Sequence, residues 1–210
     1  MKKKSISNKL FLLVITFVFT LVGCNTISNI ANFSKLQFKL GKVDNFAVSS
    51  VNISRIHNVK DLSVSDGITL ANAFANKSFP VSFTLNVIAH NPNAKNTATA
   101  QKTSNFDAVI SNLEWTLLID NKETINGRVA NPINVPSGNQ NTIIPITIGL
   151  DMFKFFNNKS YTDLINLALA IGGVNGTSAN LKLRVKPTVS IAGFPISYPN
   201  YITVVDNQFN

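Results

Sequence analysis

The 210-residue chain holds one cysteine, two histidines and one tryptophan, and only 14% of its residues are charged. Each shortage excludes something. A lone thiol, Cys24, makes neither an internal disulfide nor a cysteine-based metal site. His57 and His90 are the only histidines, and a plain surface role for each outweighs catalysis. The chain has no Gly-x-Ser-x-Gly, no His-Glu-x-x-His and no phosphate-binding glycine loop. Gly172-Gly173-Val174-Asn175-Gly176 is glycine-rich, but it follows a helical pattern, and a helix C-terminus repels phosphate. No basic run is interleaved with aromatics, so nucleic acid is not an expected partner. Asp61 and Asp66 read as a solvated pair, with Asp66-Gly67 a turn, and Asp120 and Glu123 as turn residues. No catalytic residue, metal ligand or cofactor is expected.

What is present starts at the N-terminus. Lys2, Lys3, Lys4 and Lys9 precede an almost continuously apolar stretch from 10 to 22. At 13 positions that stretch is short for a membrane span and suits the h-region of a secretory signal. Leu21-Val22-Gly23-Cys24 resembles a bacterial lipobox. The resemblance implies a diacylglycerol on the Cys24 thiol, cleavage just before it, and acylation of the new amino end. Two or more acyl chains anchor a protein stably. Residues 25–29 contain no Asp or Glu, which favours the outer membrane of a bacterial envelope, facing the periplasm. Loss of residues 1–23 leaves 15 basic and 10 acidic side chains, a net +5 that suits anionic lipid. The expected organisation is a signal at 1–23, a lipidated tether at 24–35 and one domain at 36–210.

That domain reads as β. Phe83, Leu85, Val87 and Ala89 point one way and Ser82, Thr84, Asn86 and His90 the other, the pattern of a strand with one buried face. Pro92 lacks an N–H, so Asn91-Pro92-Asn93 stops the strand and turns the chain. Leu36, Phe38 and Leu40 alternate, and 46–56 is a second extended stretch of uneven register. Residues 68–74 fit a strand or a helical turn equally. Residues 94–105 are polar and aperiodic, a loop and the expected mobile part. Short strands follow at 106–110 and at 113–120, the latter with Leu113, Trp115, Leu117 and Ile119 inward. Inward parity makes Trp115 a core residue rather than a stacking platform. After a hairpin at 120–123 the chain returns over 124–129, with Gly127 weakening or bulging that strand. Pro132, Pro136 and Gly138 set a corner. Ile144, Ile146, Ile148 and Leu150 face inward from 142 to 150, and Pro145 on the other parity marks an edge strand. Ser160-Tyr161-Thr162-Asp163, which resembles a capping box with Asp in place of the usual Glu, opens a helix, and Gly172-Gly173 ends it. Residues 152–156 make a short turn before it. Residues 181–186 alternate well, 189–194 continue that strand until Pro195 and Pro199 break it up, and 201–205 make the last strand. The expected fold is an all-β sandwich, immunoglobulin- or fibronectin type III-like, with one short α-helix between late strands.

Residues 46–205 resemble the late embryogenesis abundant type 2 family, which contains the water stress and hypersensitive response domain. The resemblance rests on the 81–93 strand ending in Asn91-Pro92-Asn93, on Leu117-Leu118-Ile119-Asp120 and the Gly127 strand, and on Pro136-Ser137-Gly138 leading into 143–150. It implies a non-enzymatic role linked to desiccation or stress, with the Asn91, Pro92, Asn93 motif structural. The expected function is therefore a membrane-anchored protective or binding module of the envelope. Its partners are membrane lipid through Cys24 and a protein or small apolar ligand. The alternative is an envelope assembly or adhesion component that binds a protein through an exposed sheet edge.

Overall fold

The computed structural model describes residues 35–56, 59–93, 107–138, 140–173, 181–191 and 194–205. The signal 1–23, with Leu21, Val22 and Gly23, lies outside them, as do Cys24, His57, the 94–105 loop and 174–176.

Two antiparallel sheets face each other across an apolar core. The first contains β1 (Gln37–Val48), β2 (Val51–Asn52), β3 (Pro80–His90) and β7 (Asn141–Asp151), in the order β2-β1-β3-β7. The second contains β4 (Ala108–Ile119), β5 (Lys122–Val129), β8 (Leu181–Ile191) and β10 (Ile202–Val204), in the order β10-β8-β4-β5. Short β6 (Ile133–Val135) also pairs with β4, and β9 (Phe194–Ser197) with β8. The chain changes sheet after β3, before β7 and after β7, which is the order of an immunoglobulin- or fibronectin type III-like sandwich.

Burial follows the period-two pattern. Val81, Phe83, Leu85, Val87 and Ala89 of β3 are buried, and β3 is central, flanked by β1 and β7. Ile144, Ile146, Ile148 and Leu150 of β7 are buried, and β7 is an edge, as Pro145 predicts. Phe46 stacks on Phe83 with ring centroids 5.3 Å apart. Asp120 and Asn121 both have positive φ, 51° and 63°, the backbone of a two-residue hairpin turn that matches strand twist.

Several expectations are corrected. Residues 106–110 and 113–120 are not two strands. From Ala108 they form one strand, β4, whose register against β8 shifts between Ile110 and Asn112 and flips the inward parity. The 46–56 stretch splits. Its first part belongs to β1, and beyond Asn52 it becomes a 3₁₀ turn at Ile53–Arg55. Asp66-Gly67 is not a turn but the first turn of a helix, α1 (Val64–Ala75). Residues 152–156 are helical as well, α2 (Met152–Phe156), ahead of the expected helix α3 (Tyr161–Ile171). Gly127 is not the bulge site. It pairs with Trp115, and a Cβ there would lie 2.8 Å from the indole Cε2, so glycine leaves room for the ring. The register irregularity falls farther along, between Thr116 and Leu118.

Candidate functional site

A cavity of about 450 Å³ opens where β1 departs from regular pairing. Leu40 pairs with Val87 and Val43 with Leu85, so Gly41 and Lys42 are pushed out of the ladder. Such a bulge bends its strand and re-aims side chains. The Asn86 side chain holds it, its Nδ2 donating to the Lys42 carbonyl at 3.1 Å and to Asp44 Oδ2 at 2.6 Å. A Cβ on Gly41 would meet the Asn86 carbonyl at 3.2 Å, so close backbone approach favours glycine here. The Leu40 N–H donates to the Val205 carbonyl at 2.9 Å and ties β1 to the chain end of the second sheet.

The far wall is the end of α3. Ala170, Ile171, Gly172 and Gly173 line it, with Leu181 and Val205 beside them. Gly173 has φ +76°, the left-handed stop of a helix C-terminus. The Gly172 and Gly173 N–H groups donate to the Ala168 and Ala170 carbonyls, which satisfies part of the helix end. The size lies within the range of small-molecule pockets, and most side chains on its walls are aliphatic. Lys42 is the only titratable residue among the described ones that line it. Polar surface makes up nearly as much of its walls as apolar surface, and Lys42 is exposed to solvent. The described walls offer no nucleophile paired with a base.

The Asn91-Pro92-Asn93 corner has a different job. Asn91 is the one fully buried polar residue among those described. Its Nδ2 donates to the Val135 carbonyl at 3.1 Å, and its Oδ1 accepts from the Asn93 N–H at 3.2 Å and Nδ2 at 2.8 Å. The Gly138 N–H donates to the Asn91 carbonyl, and Asn91 bridges to Ser137. Ser137 in turn donates its N–H and hydroxyl to Asp107 Oδ1. The corner therefore stops β3 and also clamps the first sheet to the β6 end of the second. Sequence reasoning found the turn and missed the clamp, because the partner carbonyl is 44 residues away.

The remaining candidates disperse. His90 is half-buried, paired in register with Gln37 and Asn141. Asp66 is not half of an acidic pair. It caps α1 and meets Arg55 at 3.2 Å. Its carboxyl is held below the usual value first by the Ser63 hydroxyl, then by the Ser63 N–H, with Arg55 a smaller cause. Asp163 is lowered in the same way by Ser160. Burial pushes the Tyr198 phenol up, although its oxygen accepts the Leu36 N–H at 2.8 Å. Trp115 is buried. No cluster of three His, Cys, Asp or Glu side chains occurs among the described residues.

No protein-family model matches the chain, and no curated protein matches it. Among solved structures it is similar to a protein from Archaeoglobus fulgidus, at 11% identity over 85% of this chain and 94% of that one, with a TM-score of 0.34. A likeness that distant carries no argument about function.

Proposed function

We propose that the protein is a lipid-anchored, non-enzymatic module of the bacterial envelope that binds a small apolar molecule in the cavity beside the β1 bulge. The observation that carries this is the cavity itself, where seven aliphatic side chains and that of Lys42 share the lining with backbone. The anchor rests on Leu21-Val22-Gly23-Cys24. Only 11 residues separate Cys24 from Leu36, where the sandwich begins. Fully extended they reach about 40 Å, which keeps the domain close to its membrane. The stress-linked role rests on the resemblance carried by the 81–93 strand and its corner.

Two measurements separate the parts. Metabolic labelling with a palmitate analogue marks the wild type and not Cys24→Ala, and equal labelling of both removes the anchor. The purified Cys24→Ala chain takes up an apolar fluorescent probe, and Val43→Phe, which fills the cavity from a half-buried wall position, reduces the uptake. Uptake unchanged by Val43→Phe, in a variant that still melts like its parent, removes the cavity reading.

A further inference from the structure

The second sheet turns a basic face outward. Leu183 and Val185 of β8 are buried, so Lys182, Arg184 and Lys186 point away from the core. The ladder sets Lys186, Glu114 and Arg128 in one row across β8, β4 and β5, and Lys182, Leu118 and Glu123 in another. Four cations therefore share this face with two carboxylates. Glu123 pairs with Arg184, and Glu114 accepts the Tyr201 hydroxyl at 3.4 Å. Lys182 donates to the neutral Asn121 side chain at 2.8 Å. Neither Lys186 nor Arg128 pairs with a carboxylate among the described residues.

Tyr201 lies against these cations and is 42% exposed. The Arg184 guanidinium is 5.2 Å and the Lys186 ammonium 5.9 Å from its ring centroid. An exposed ring with a polar tip, set among cations, suits the headgroup layer of a membrane. The sandwich also begins beside this face. The Leu36 N–H donates to the Tyr198 hydroxyl at 2.8 Å, and the Tyr198 N–H donates to the carbonyl of Pro187, the neighbour of Lys186. β1 starts from the same root and has Lys39 and Lys42 against Asp44, and β3 and β7 add no Lys or Arg. The larger excess of cations and the exposed ring favour the second sheet over the first.

We propose that this outer face of the second sheet rests on the anionic headgroups of the membrane to which the chain is tethered. The inference takes from the function proposed above only the anchor at Cys24, which says where the membrane is. An anchor 11 residues from Leu36 keeps the root of the sandwich near lipid, and cations close to an anionic surface are drawn to it. A nucleic acid or an acidic protein would match the charge, but neither is brought to the root of the tether.

The test uses the chain from residue 24, which holds the whole sandwich. Its only thiol, Cys24, is coupled to maleimide-bearing vesicles, so the result does not depend on acylation in the cell. Lysine acetylation read by mass spectrometry gives the footprint. On vesicles containing phosphatidylglycerol, Lys182 and Lys186 react roughly fivefold more slowly than on phosphatidylcholine, while Lys39 and Lys77 do not change. Salt at about 0.5 M removes the difference. Lys186→Glu with Arg128→Glu abolishes the slowing at Lys182. Lys39→Glu with Lys77→Glu, the same change in net charge, preserves it, and both double variants melt like the parent. Equal rates on the two lipids overturn the proposal. So does equal slowing at Lys39 and Lys77, or slowing at Lys182 and Lys186 by an oligonucleotide and not by the vesicles. A lost anchor shows in the palmitate labelling and leaves this footprint unchanged, so the two failures are told apart.

Discussion

Two helices in this molecule begin with the same chemistry and do unequal work. α1 and α3 are each capped by a serine whose hydroxyl accepts from the aspartate N–H three residues on, Ser63 to Asp66 and Ser160 to Asp163. In both, the serine hydroxyl also donates to that aspartate carboxylate at 2.7 Å. They differ in what lies beyond the cap. α3 buries Leu164, Ile165, Leu167, Ala168, Leu169 and Ile171. α1 buries only Leu70, leaving Val64 83% and Ile68 56% exposed. A serine cap thus fixes where a helix starts, and burial decides how firmly it is held.

The largest expected effect follows from that difference. Leu169 is fully buried, so Leu169→Ala should cost about 2–5 kcal/mol through lost transfer energy and the cavity left behind. Ile68→Ala, on the exposed face of α1, should stay within about 0.5 kcal/mol of the parent. Urea unfolding of the two variants measures this. Equal losses would mean that α1 has a partner its described surroundings do not show.

The same difference explains what could be read from the sequence. α3 was legible because its apolar stripe and its cap agree. α1 was hidden because one buried leucine makes no stripe, and Asp66-Gly67 is also ordinary turn chemistry. β3 and β7 were legible because unbroken pairing preserves the period of two from end to end. β1 was not, because its two register shifts break the alternation. The cavity lies at one of those shifts, so the feature that builds it also erases its signal. Ser111 gives a second case, since the irregularity there makes one strand look like two.

A middle-sized effect tests cooperativity. Leu70 is the single buried residue of α1, with half-buried Phe74 packed edge-on against Phe153 and Tyr161, while the strands on either side bury whole rows of side chains. Leu70→Ala should therefore raise amide exchange in α1 well before it does so in β3 or β8, a local opening rather than global loss. Exchange that rises evenly across all three would show α1 to be as integral as α3.

The smallest effects come from the caps, and they should be the same in both helices. Ser63→Ala and Ser160→Ala should each cost about 1 kcal/mol, the usual worth of an N-cap hydroxyl. Their pH dependence has a definite sign. Asp66 and Asp163 both sit below the ordinary 3.8 in the folded chain. A lowered carboxyl contributes stability that is present above the unfolded value and lost as pH falls through the folded one. The contribution should thus be intact at neutral pH and fade in the acid range below 3.8. Each serine variant should move its own aspartate back toward 3.8 and leave the other in place, read by carboxyl chemical shifts in an NMR titration. Arg55→Gln should move Asp66 less than Ser63→Ala does, because the guanidinium is the lesser cause and lies at an exposed site. A larger shift from Arg55→Gln would make the ion pair, and not the cap, the force that sets the start of α1.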